Sequence, residues 1–318
     1  MAVTAHPASQ RAIDPHDLPL SLRLMRGGFR SLRFVSRGLA ARLVAHLFVK
    51  PRRHPVPERE RAILARGVRS EVLYGDKRIA VWTFEPDAEA GTSRGAALLV
   101  HGWEGRGGQL GAWVEPLRAA GYSVVTFDHV GHGESDGQRC SLPTMRNTLR
   151  CVAKAVLPEG CDGPAALVAH SMGTFASSLL LADGWRKTRV VYLSPPDDLL
   201  VYFARYLELV TGSDELLPDL IRLMEERFGE RADEFQFHKL VETLDQPLRI
   251  LHSIDDLDVP IEGGRYVAAH WPGASLREVD GLGHRKILQD PGVVADGVAF
   301  LTQPAPGRPV ERPHEGDS

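Results

Sequence analysis

The stretch Ala165-Ala166-Leu167-Val168-Ala169-His170-Ser171-Met172-Gly173-Thr174 carries the sharpest chemical signal in the chain. A short apolar run ends on a serine with small residues two positions to either side. A helix-compatible segment, Phe175 to Ala182, follows at once. A strand, a sharp turn and a helix in that order lift a serine hydroxyl clear of a sheet, the geometry of a nucleophile elbow. A hydroxyl is a weak nucleophile at neutral pH. It needs a base, and the base needs a carboxylate to orient it. Two later blocks supply those residue types in the order serine, acid, histidine: Leu-His-Ser-Ile-Asp-Asp-Leu-Asp-Val-Pro at 251–260 and Gly-Leu-Gly-His at 281–284.

Residues so far apart meet only if the elements before them lie side by side. Apolar runs at Ala96–Val100, Tyr122–Phe127, the Ser171 run, Val190–Leu193, Leu248–His252 and Leu276–Val279 predict strands. Helix-compatible segments separate most of them: Leu110–Ala120, Leu142–Leu157, Gly263–Trp271 and Lys286–Leu301. That alternation implies a mostly parallel sheet with helices on both faces. Val68–Tyr74 and Arg78–Phe84 alternate apolar and polar residues around Gly75-Asp76, a hairpin signal. Loops at the carboxyl ends of parallel strands converge, which brings the three blocks to one place. Between Ser194 and Leu248 the strand rhythm stops. Leu199–Val210, Leu217–Phe228 and Phe235–Leu244 read as helices, and an insert of this length predicts a lid over 197–246. It holds thirteen Asp or Glu against five Lys or Arg, a surround that disfavours a strongly anionic substrate.

With these blocks in place the chain resembles an α/β-hydrolase over about residues 68–301. His101-Gly102-Trp103, the run Asp128 to Ser135, Ala169-His170-Ser171-Met172-Gly173 and the Asp256/His284 pair carry the resemblance. The Asp128 run and the His-Ser-Met-Gly elbow are similar to the monoacylglycerol-lipase-like branch; the N-terminal segment and His-Gly-Trp look more like bacterial esterase relatives. The resemblance implies an eight-stranded sheet with a helical lid after the sixth strand. It implies Ser171 as nucleophile, His284 as general base and Asp256 as its acid. The backbone N–H groups of Trp103 and Met172 would form the oxyanion hole. Asp255, Asp258, Asp197 and Asp198 are rival acids; His252, His270 and His314 are the other histidines of the last third. Asp128, His129, His132 and His101 are expected to brace loops. His170, Trp103, Tyr202 and Tyr206 are candidate substrate contacts, with Phe203, Leu207, Phe228, Phe235 and Phe237 lining an acyl site or packing the lid. Two departures stand out: Ala169 replaces the family's first elbow glycine, and Ser253 the glycine common after the seventh strand.

The implied function is a serine hydrolase that cleaves a small-to-medium carboxylic ester through an acyl-enzyme on Ser171. Alternatives are a monoacylglycerol-lipase-like, thioester or lactone hydrolase, and a non-catalytic binding member of the fold. No metal or organic cofactor and no nucleic-acid partner is expected. Composition is that of a globular protein, with 43% apolar and 25% charged residues and a net charge of −3. Cys140, Cys151 and Cys161 suit a reducing compartment, and no signal peptide or membrane span is read, so a cytoplasmic location is expected. Residues 18–53 hold nine Lys or Arg and no acid. Phe29, Leu32, Val35, Leu39, Leu43 and Leu47 recur at helical spacing, as do Arg26, Arg30, Arg33 and Arg37. Two readings of this extension (18–57) stand: a helix packed on the main domain with solvated arginines, or peripheral contact with an anionic membrane or acidic partner. Residues 1–17 and 302–318 read as disordered. Oligomeric state is not legible.

Overall fold

The computed structural model describes residues 18–303; the expectations for 1–17, and for the tail beyond 303, lie outside that span. Eight strands form one sheet: β1 (Val68–Tyr74), β2 (Lys77–Phe84), β3 (Gly95–Val100), β4 (Tyr122–Phe127), β5 (Ala166–His170), β6 (Arg189–Leu193), β7 (Leu248–Ser253) and β8 (Ser275–Val279). Their order is β1-β2-β4-β3-β5-β6-β7-β8. The hairpin β1–β2 and the β2–β4 pair are antiparallel, and every other pairing is parallel. The helices are α1 (Leu20–Val35), α2 (Arg37–Phe48), α3 (Glu58–Leu64), α4 (Val114–Ala119), α5 (Leu142–Val156), α6 (Met172–Ala182), α7 (Leu199–Thr211), α8 (Leu217–Phe228), α9 (Phe237–Leu240), α10 (Ile261–His270), α11 (Gly283–Lys286) and α12 (Pro291–Thr302).

Central strands are apolar on both faces because both are covered. Leu98, Val100, Leu167, Ala169, Val190 and Tyr192 face a core shared with α5 and α6; Ala97, Leu99, Ala166, Val168 and Val191 face one shared with α4 and α12. That period of two is the pleat itself. Three sequence expectations shift. The first half of Leu110–Ala120 is a 3-10 turn (Gly107–Trp113), and Phe235–Leu244 breaks into short 3-10 and α pieces around α9. Lys286–Leu301 is interrupted before Pro291, whose ring suits only the first turn of a helix. Helix α3 has no counterpart in the sequence reading.

The N-terminal extension differs more. Its single apolar stripe is cut at Ser36, which adopts an extended conformation and caps α2 by accepting the Leu39 N–H at 3.3 Å. The break resets the helical phase. Phe29 is buried, but Val35, Leu39 and Leu43 point outward, and Ala40, Ala41, Val44 and Ala45 form the buried face of α2. The arginines at helical spacing also divide. Arg26 donates to the carbonyls of Glu208 and Leu209 at the end of α7, at 2.8 and 3.1 Å. Arg33 pairs with Glu215 at 2.6 Å, and Arg37 with Asp219 at 2.8 Å. Part of the acidity of the insert between β6 and β7 is therefore met by this basic segment.

Candidate active site

Ser171 sits between β5 and α6 with φ +52° and ψ −126°, a conformation that costs a non-glycine residue about 1–3 kcal/mol. The turn is held by its own backbone: Ser171 N–H donates to Leu193 O at 3.0 Å. The residue two further on must be glycine. A Cβ on Gly173 would lie 2.6 Å from the carbonyl oxygen of His101, because the start of α6 runs against the end of β3. Ala169 lies inside β5, fully buried between β3 and β6, where extended backbone suits any L-residue and only bulk is limited.

At the ends of β7 and β8 the acid and histidine blocks meet. His284 Nδ1–H donates to Asp256 Oδ2 at 2.8 Å. The other carboxylate oxygen accepts the N–H groups of Val259 (2.8 Å) and Asp258 (3.0 Å). Burial favours the protonated acid, but the His284 hydrogen bond and charge and the Val259 N–H outweigh it and hold Asp256 below its ordinary value. Among the rivals, Asp255 is hydrogen-bonded to Ser253 Oγ, Asp198 caps α7 through Leu200 N–H at 2.7 Å, and the Asp258 backbone supports Asp256. Ser253 does more than stand in for glycine. Its hydroxyl also accepts the N–H groups of Leu282 (3.3 Å) and Gly283 (3.1 Å), tying the acid loop to the histidine loop.

His170 packs its ring 4.5 Å from that of His284 and donates Nε2–H to the His284 carbonyl at 3.0 Å. Burial, then the neighbouring His284, pushes its pKa well down, so it is neutral. It lines the cavity, yet its polar contact is to the histidine loop.

The loop after β3 is braced from several sides. His101 Nε2 accepts the His129 N–H at 3.0 Å, so its proton is on Nδ1, donated to Gly102 O at 2.7 Å. Asp128 accepts the N–H groups of Gly107 and Glu134, both at 2.7 Å. A Cβ on Gly133, whose φ is +45°, would overlap the Asp128 carboxylate at 1.9 Å. Arg52 grips Glu104 with bonds of 2.8–3.1 Å, and Arg106 forms a buried pair with Glu60 of α3 at 2.5 and 3.0 Å. The N–H groups of Trp103 and Met172 donate to no other described residue.

Ser171, His284, Asp256, His170, Met172 and Trp103 open onto one cavity of about 1090 Å³. The insert supplies Tyr202, Phe203, Tyr206, Met224, Phe228 and Phe235 to its wall. Leu207 and Phe237 do not reach it; both are buried, and Phe237 packs on Trp271 with ring centroids 6.1 Å apart. The sequence reading missed Phe48. This last residue of α2 lines the cavity and lies edge-on to Phe203 (4.6 Å) and Tyr206 (4.9 Å), with Trp103 stacked at 6.4 Å. Its signal was an aromatic closing the basic segment just before Pro51. Arg52, Glu60 and Arg106 also line the cavity unforeseen. No cluster of His, Cys, Asp and Glu suited to a metal occurs among the described residues.

Chemically, a hydroxyl raised on a strained turn shares a cavity with an imidazole that a buried carboxylate fixes in one tautomer. Two backbone N–H groups border the same space. This set of parts suits acyl transfer.

The comparisons agree with this architecture. The family model described as serine aminopeptidase, S33, matches residues 91–221, a span that includes Trp103 and Ser171 and ends before Asp256. No curated protein matches the sequence. Similar solved structures include an esterase from Pyrococcus furiosus, 19% identical, with a TM-score of 0.60 over 80% of this chain and 98% of that one. The mouse α/β hydrolase domain-containing protein 10 is 17% identical, with a TM-score of 0.54 over 74% of this chain and 96% of that one. An N-acyl homoserine lactone degrading enzyme is 17% identical, with a TM-score of 0.53 over 70% and 96%. The sheet order, the elbow and these likenesses give the chain the α/β-hydrolase fold.

Proposed function

We propose that the protein is a serine hydrolase of carboxylic esters. The observation that carries this reading is the Asp256–His284 pair at 2.8 Å in the wall of the cavity that Ser171 enters from its strained turn. Ser171 Oγ attacks the acyl carbonyl while His284 Nε2 takes its proton. The N–H groups of Trp103 and Met172 hold the oxyanion of the tetrahedral intermediate, each donor contributing about 3–4 kcal/mol to the transition state. His284 then protonates the leaving alcohol. A water, deprotonated by the same imidazole, releases the acid from Ser171. Asp256 stays ionised throughout and steadies the imidazolium.

The insert acts as a lid. The aromatic wall of Phe48, Phe203, Tyr206, Phe228 and Phe235 favours an apolar acyl chain of medium length over acetate. That wall is the specific observation in favour of a monoacylglycerol-like ester. Thioesters and lactones present the same carbonyl to the same parts.

Active-site labelling with a fluorophosphonate and hydrolysis of p-nitrophenyl esters of increasing acyl length test the reading. Wild-type protein is expected to label and to turn over esters, with a maximum at about six or more carbons. Ser171→Ala is expected to lose labelling and more than about 10⁴-fold of kcat. Full activity in Ser171→Ala would overturn the assignment.

A further inference from the structure

The outer face of α1 and α2 is unlike the rest of the surface. Phe34 is 95% exposed, Val35 81%, and Leu20 and Leu24 each 68%. On α2, Leu39 and Leu43 are exposed as well, at 52% and 42%. In α1, Leu20, Leu24 and Phe34 stand within about one-sixth of a turn of a common line at 3.6 residues per turn. Scattered exposed leucines are ordinary, but six large apolar residues on two consecutive helices form a patch.

The arginines explain what such a patch is for. Arg26, Arg33 and Arg37 turn inward and hold α7 and the start of α8. Arg23, Arg30 and Arg42 are exposed, and their side chains meet no partner among the described residues. Each falls beside one of these apolar residues: Arg23 next to Leu24, Arg30 one turn before Phe34, Arg42 next to Leu43. From residue 18 to residue 57 there is no acidic side chain.

We propose that this face docks on an anionic lipid surface. Apolar side chains enter the boundary between headgroups and acyl chains, and the three outward arginines pair with lipid phosphates. Charge selects this occupant over a second copy of the chain. A two-fold contact would set the same patch against itself, arginine facing arginine with no acid between. The inward arginines add a further point. A free amphipathic segment must order itself on the membrane, whereas this pair of helices is already folded and fastened to the insert, so binding carries little ordering cost. No helix is long and apolar enough to cross a membrane among the described residues, which fits a face that lies on a bilayer. The inference concerns binding alone and stands apart from the ester-hydrolase reading.

Co-sedimentation of the full chain with vesicles tests it. Vesicles of phosphatidylcholine mixed with phosphatidylglycerol are expected to carry the protein down at low salt. Vesicles of phosphatidylcholine alone are expected to carry far less, and added salt should release it. The triple variant Arg23→Gln/Arg30→Gln/Arg42→Gln should lose on the order of fivefold in affinity per arginine. Phe34→Ser/Val35→Ser should lose binding at any salt. Both variants should keep wild-type hydrolysis of a soluble ester and wild-type thermal unfolding, since neither set of side chains reaches the cavity. Equal sedimentation of wild type and both variants would overturn the proposal, as would no sedimentation with anionic vesicles. A dimer in solution that Phe34→Ser/Val35→Ser dissociates would assign the face to a second copy instead.

Discussion

Ser253 shows how one hydroxyl sets the quality of the site. It joins three elements: the end of β7, Asp255 and the backbone of Leu282 and Gly283 just ahead of His284. The imidazole has its own anchors in Asp256 and in the His170 bond to its carbonyl, so loss of Ser253 loosens the loop without freeing the ring. Ser253→Gly takes the acceptor from the half-buried Leu282 N–H and leaves Gly283 N–H only Asp255 Oδ1 at 3.1 Å, a cost of about 1 kcal/mol. The expected result is a kcat about tenfold lower with KM nearly unchanged, measured on a p-nitrophenyl ester, together with a lower unfolding midpoint. An equal loss in KM would point to substrate contact instead. At this scale the order of Ser171, Asp256 and His284 was legible, because each follows a strand run and carries a residue type that acyl transfer requires. Ser253 was legible only as a departure. What its hydroxyl binds depends on two loops closing on each other, which spacing along the chain does not encode.

Among the elements, α2 has the least expected role. Its sequence is basic and amphipathic, and nothing in it names a cavity. Yet Phe48 touches Trp103 on the loop after β3 and Phe203 and Tyr206 on α7, so one ring links the extension, the Trp103 loop and the insert. Removing it opens the apolar end of the cavity and leaves the serine and histidine loops untouched. Phe48→Ala is therefore expected to raise KM for octanoate esters about tenfold, the low end of the roughly 1.5–3 kcal/mol that a fully buried aromatic contributes, since Phe48 is half-buried. Hydrolysis of acetate esters should change less than about twofold. Steady-state kinetics on the two esters decides it; a uniform fall in kcat would mean that Phe48 positions the Trp103 loop. The central strands read well from sequence here, since burial on both faces leaves unmistakable apolar runs. The extension read poorly because helical periodicity was continued through Ser36, where a capping hydroxyl restarts the phase. The same break hid which arginines turn inward, since that depends on where the insert's acids lie.

For the whole molecule, the loops that frame the site make stability depend on pH with opposing signs. His101, His129, His170 and His252 are held below the usual imidazole value, chiefly by burial, and His132 is lowered to about 4. Both ring nitrogens of His129, and Nε2 of His132, lack a hydrogen-bond partner among the described residues, so nothing there rewards a second proton. For these groups the unfolded chain binds protons more readily than the fold. Their stabilisation is complete above the unfolded value of about 6.5 and is lost as pH falls towards 4. Asp128 has the opposite sign. Burial raises it to about 6 against the N–H groups of Gly107 and Glu134. The folded chain binds its proton more tightly, so its contribution is greatest below about pH 4 and declines as pH rises through 6. The histidines outnumber it, so the net expectation is an unfolding midpoint that falls from pH 7 to pH 4.5. Asp128→Asn removes this opposing group. It also turns an N–H donor towards one of the two backbone donors that Asp128 accepts, so it should be less stable at every pH. Its decisive signature is the slope: between pH 7 and pH 4.5 the variant's midpoint should fall more steeply than the wild type's. Parallel curves from thermal unfolding across that range would show that Asp128 is ionised in the fold at all of these pH values, and that its hydrogen bonds outweigh its burial.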